Sequence, residues 1–196
     1  MIPLRDNLHL RGVPLATVAL IVLNAAVFFY QYFTLPVSAW SAFVQAFGLV
    51  PDSFAGLWRQ DAAVAAYQPL VTSLFLHGGI MHLVGNMWYL WLFGHSSELC
   101  LGRWRYLLVY FACGVAANLV HVAVYPESAI PIIGASGAVS GILGAYLYCF
   151  PRAKILMLVP LFLFFTILEV PATAFVGVWF LLQLVNGLTG LMALTM

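Results

Sequence analysis

Charge is what this chain has least of. Of its 196 residues only 7% are charged, against 64% apolar, where a soluble domain carries about 25% charged residues to face water. So few charges cannot cover a water-facing surface of this size, and lipid must cover most of it. A net charge of +1 leaves no basic patch, which excludes nucleic acid as a partner. The three cysteines, Cys100, Cys113 and Cys149, are odd in number and lie in or beside apolar runs. They have no zinc spacing and suggest no disulfide framework, so they read as packing residues. No glycine-rich phosphate loop is present, and nothing in the sequence calls for a cofactor or a metal.

Long apolar runs are there instead. Residues 13–33 are uncharged. That run exceeds the roughly 7–15 residues of a signal-peptide core and can span about 30 Å of hydrocarbon. It reads as a retained first span. Further spans are expected at 78–94, 106–125, 134–150 and 172–191, with Pro126 and Pro151 closing two of them. Residues 35–76 form an extracytoplasmic loop with interfacial segments, rich in Trp and Pro. The run 155–168 is short for a span and reads as interfacial or re-entrant. The whole, residues 1–196, is expected to be one all-α, polytopic membrane helix bundle.

Loop charge orients it. Arg5, Arg11, Arg103, Arg105, Arg152 and Lys154 fall on one side of this arrangement and only Arg59 on the other. Lys and Arg stay preferentially in the cytoplasm, so the N-terminus is expected inside. Spans two and four then start at the same, outer, leaflet.

Two of those starts carry polar residues that need explaining. His82 and Asn86 are four apart and share a helix face. Inter-helix hydrogen bonding alone would account for an isolated His or Asn in a span, but the pair beside Gly78 and Gly79 favours a site. His77 points elsewhere and reads as a structural cap for the preceding loop. Span four opens Gly134-Ala135-Ser136-Gly137. Gly137, Gly141 and Gly144 make a small-residue packing stripe, which does not require Ser136. A serine at a helix N-terminus stands among free backbone N–H groups, which can hold a developing oxyanion. Serine, N–H groups, His82 and Asn86 at one depth define a nucleophile with an oxyanion site.

On these residues the chain resembles the rhomboid family of intramembrane serine proteases, bacterial members in particular. The matching pieces are His77-x4-His82-x3-Asn86 and Gly134-Ala135-Ser136-Gly137, supported by Glu98-x3-Gly102 and the Trp-rich loop. The resemblance implies a six-helix bundle, of which five spans are present, in a bacterial inner membrane. It implies cleavage of transmembrane protein substrates near the outer surface, Ser136 as nucleophile, His82 and Asn86 in the oxyanion hole, and no metal or cofactor. It also implies a histidine base on a sixth helix. The chain carries no such span, so a truncated chain is expected, and an inactive pseudoprotease that binds membrane segments is the alternative. His9 and His95 lie on the inner side. His121, at the outer end of span three, reads as interfacial. Ser140 stands where some members place an aromatic.

Overall fold

The computed structural model describes residues 2–59, 63–161 and 164–194. Residues 60–62 of the expected loop and 162–163 of the expected interfacial run lie outside them. The chain divides into two units, Gly12–Ile142 and a second made of Met1–Arg11 with Leu143–Met196.

The larger unit is helical. Helix α1 spans Leu15–Phe33, α2 Val37–Phe47, α3 Pro51–Arg59 and α4 Ala63–Thr72. A 3₁₀ turn, Ser73–Phe75, leads to α5, Ile80–Leu101, then α6, Arg103–Val124, and α7, Ser136–Cys149. The polarity of α1 is inside out. Thr17, Asn24 and Gln31, seven apart, are buried beside Leu20 and Phe28, while Val22, Phe29 and Phe33 are exposed. A helix that hides its polar stripe and presents Phe and Val outward is solvated by lipid, not water. Buried Tyr106, Tyr110, Gly114 and Asn118 make a comparable stripe every four residues on α6.

α1 and α6 are each long and apolar enough to cross a membrane. Tyr67–Phe75 and α5 pass the same test together, bent by 90° at the break between them. The second expected span thus starts close to its expected place but continues past residue 94 to Leu101. α7, with 14 residues, reaches only about 21 Å at 1.5 Å per residue. Small residues bring it against α6: a Cβ on Gly137 would come within 2.5 Å of the Ala117 methyl, and one on Gly114 within 3.2 Å of the Ala138 methyl.

At the C-terminal end of α5, Glu98 is buried and serves α1. Its carboxylate accepts from the Ala16 N–H at 2.9 Å, the Thr17 N–H at 2.7 Å and the Thr17 hydroxyl at 2.9 Å. These are orphan donors of a helix N-terminus, where a negative charge also suits the helix dipole. Arg103 approaches Glu98 at 3.9 Å from a half-exposed position.

In the smaller unit the expectation of an all-α chain fails. Strands β1, Ile2–Asp6, β2, Lys154–Leu161, and β3, Phe164–Pro171, form an antiparallel sheet in the order β1-β2-β3. The described residues of the run 155–168, expected as an interfacial or re-entrant segment, lie in strands β2 and β3. Ile155, Met157 and Val159 are buried at every second position, the strand period. The opposite face of β2 is apolar too, at Leu156 and Leu158, so no polar alternation betrayed it. Lys154 and Glu169 pair across the sheet at 3.5 Å. The Tyr146 hydroxyl donates to Asp6 at 3.2 Å. Helix α8, Ala172–Leu194, follows β3 directly. Cys113 is a free thiol but Cys100 and Cys149 are disulfide-bonded, so packing alone describes only the first.

Candidate active site

Ser136 is the first residue of α7 and is exposed. The Val139 N–H donates to the Ala135 carbonyl at 2.9 Å, so the helix begins there. The N–H groups of Ser136, Gly137 and Ala138 therefore lie in a first turn that supplies no intrahelical acceptor. The Ser140 hydroxyl donates back to the Ser136 carbonyl at 2.7 Å, one turn on.

The segment entering α7 is held at three places. Ser128 O accepts from the Asp52 N–H at 3.2 Å, Leu49 and Ile132 exchange backbone hydrogen bonds of 3.1 and 2.7 Å, and the Gly134 N–H donates to Ser73 O at 2.9 Å. The helices between α1 and α5 thus brace the serine. Ser73 is fixed in turn by Asn118 of α6, whose amide nitrogen donates to Ser73 Oγ and Leu70 O, both at 2.9 Å. Asn118 escaped the sequence reading. The available signal was a lone amide in the apolar run 106–125.

Gly134 has φ +121°, in the region that favours glycine. A Cβ there would lie 2.7 Å from both Cε1 and Nε2 of His82. The His82 ring is therefore packed against the backbone two residues before Ser136, joining α5 to the start of α7. Asn86 is buried on the same α5 face, and its amide nitrogen donates to the His82 carbonyl at 3.0 Å. His77 is fully buried, its ring 5.0 Å from the His82 ring in an edge contact. The His77 ring faces the Phe75 backbone of the preceding loop, the segment it is expected to cap, without a well-aligned hydrogen bond. Among the described residues no hydrogen bond joins the Ser136 hydroxyl to His82 or Asn86. His121 lies elsewhere, its ring 4.7 Å from Tyr125.

The arrangement is an exposed hydroxyl at a helix start, free N–H groups around it, and an imidazole held against the glycine turn that precedes it. Residues 57–195 match the rhomboid domain model, and the chain belongs to the rhomboid family, as an integral membrane protein. It is 43% identical over 79 residues to the rhomboid protease GluP of Bacillus subtilis, covering 40% of this chain and 15% of that one. It is 39% identical over 95 residues to the mitochondrial rhomboid protein 1 of Saccharomyces cerevisiae, covering 46% and 27%. The putative rhomboid protease YdcA of Bacillus subtilis is 34% identical over 99 residues, covering 47% and 49%. The matched stretches thus span half or less of these relatives' lengths. No solved structure matches the chain.

Proposed function

We propose that this chain forms the core of an intramembrane serine endopeptidase that cleaves transmembrane protein substrates near the outer membrane surface. Ser136 Oγ attacks the scissile carbonyl and its proton passes to a base. The oxygen that becomes an oxyanion is held by the Ser136 N–H and by the side chains of His82 and Asn86. Collapse of that tetrahedral intermediate breaks the C–N bond and leaves an acyl-serine, which water hydrolyses. The observation that carries the reading is the His82 ring against Gly134, which brings a side-chain donor from α5 to the start of the serine's helix. In this reading the N-terminus is cytoplasmic, five spans are present, and the base is a histidine carried beyond α8.

The test is labelling of the full-length gene product, in membranes, by a fluorophosphonate. Labelling that disappears in Ser136→Ala, with the protein still folded, is the expected result. Equal labelling of wild type and variant removes Ser136 as nucleophile. A second reading rests on the Ser136 hydroxyl, which no histidine hydrogen-bonds among the described residues: a pseudoprotease that grips membrane segments without cutting them. It predicts no labelling, and capture of an apolar helical peptide that survives Ser136→Ala.

A further inference from the structure

The three-stranded sheet has one face that the protein does not cover. Register assigns it. Ile2, Leu158 and Ile167 stand side by side, as do Arg5, Leu156 and Glu169, while Lys154 pairs with Pro171 and Pro160 with Phe165. Residues paired across strands share a face, and alternation along β2 puts buried Ile155, Met157 and Val159 on the other one. On the uncovered face Phe165 is 72% exposed, Ile167 57% and Ile2 51%. These apolar side chains cluster toward the hairpin tip. The base carries Arg5 and Lys154 on the face, with Glu169 paired to Lys154 at 3.5 Å, and exposed Arg152 just before β2.

Connectivity says what the face meets. Four residues separate the end of α7 from the start of β2, and β3 runs into α8 without a linker. The sheet therefore grows out of two apolar helices at the level where they leave the hydrocarbon. At about 3.3 Å per residue an eight-residue strand reaches about 26 Å. A face with an apolar tip and a cationic base, tethered at that level, has the charge and polarity order of a bilayer boundary, acyl chain then anionic headgroup.

We propose that this face is a lipid-binding surface: Ile2, Leu158, Phe165 and Ile167 lie in the acyl boundary, and Arg5 and Arg152 hold anionic phospholipid headgroups. The inference is independent of the serine chemistry, since it concerns neither Ser136 nor His82.

The experiment uses the full-length protein in vesicles, with Cys113→Ser as background. Nitroxide labels are attached at Phe165→Cys, at Ile167→Cys and, as a water-facing reference, at Glu127→Cys. Collisions with oxygen should exceed those with a water-soluble nickel complex at 165 and 167, with the reverse at 127. Nickel collisions at 165 and 167 as frequent as at 127 would overturn the proposal. So would spin–spin broadening, which would mean that a second copy covers the face, or shielding from both reagents, which would mean another protein does. The headgroup part is read separately, as the enrichment of phosphatidylglycerol over phosphatidylcholine around the protein in mixed vesicles. Arg5→Gln and Arg152→Gln should each lower that enrichment by up to about fivefold. Unchanged enrichment in the double variant would refute the cationic site. The depth measurement leaves all the cations in place, so the two parts fail independently.

Discussion

The two ends of α5 hold their polar side chains in different ways. At the C-terminal end, Glu98 meets three donors from α1 within 2.9 Å. At the N-terminal end, exposed His82 packs against the Gly134 turn, and buried Asn86 donates within the helix to the His82 carbonyl at 3.0 Å. The C-terminal end is tied across helices to α1, while the N-terminal end is tied to a glycine turn and within its own helix. The same membrane environment, on one helix, therefore yields an inert clasp at one end and an arrangement open to a further ligand at the other.

The largest effect that sharpens this contrast is Ser136→Ala. On the proposed mechanism it lowers kcat on the order of 10⁶-fold with the thermal unfolding midpoint unmoved, since Ala keeps helix propensity; residual cleavage near wild type would break the contrast at the outset. Next come His82→Ala and Asn86→Ala. Each should reduce kcat about 10²–10³-fold, read on a transmembrane substrate in vesicles, with little change in unfolding. Glu98→Ala should do the reverse. It strands buried donors of α1, and a loss of about 3 kcal/mol is expected in denaturant unfolding, while the activity of the molecules that remain folded is retained. The partner Arg103 is half exposed and 3.9 Å away, so Arg103→Gln should cost no more than about 1 kcal/mol. Asn118→Leu has the smallest effect that is still diagnostic. It removes two hydrogen bonds and loosens Ser73, so stability falls by about 1–2 kcal/mol. Cleavage should fall through kcat with KM held, and Asn118→Asp, which keeps the side-chain shape but not the donating amide, should not rescue it. A change confined to KM would show that the Asn118–Ser73–Gly134 path does not reach the nucleophile.

In the candidate site, the features legible in the sequence are those whose spacing is local. His82 and Asn86 needed only the helical period, and Ser136 only a glycine-flanked helix start. What joins them was not legible. The contact of His82 with Gly134, and the path from Asn118 through Ser73 to Gly134, cross tens of residues of sequence and depend on how α4 to α7 pack. Helix positions in the fold were read well where runs were long and apolar, as at residues 13–33 and 106–125. The hairpin at 154–171 was missed because both faces of β2 are apolar, which erases the period that distinguishes a strand from a short helix. Thr17, Asn24 and Gln31 did give a signal: polar residues seven apart in a membrane span mark its protein-facing side.

The Glu98 clasp has a consequence for how the chain is made. Its acceptor lies 82 residues after Ala16. During synthesis at about 5–20 residues per second, the first turn of α1 is complete about 4–16 s before Glu98 exists. Through that interval its N–H groups must be served by water or lipid headgroups, which holds the amino end of α1 at the membrane surface. Only when α5 arrives can that end settle against its neighbour. α1 is thus finished by a residue near the end of α5, and a nascent chain cut short before Glu98 would carry α1 without its cap.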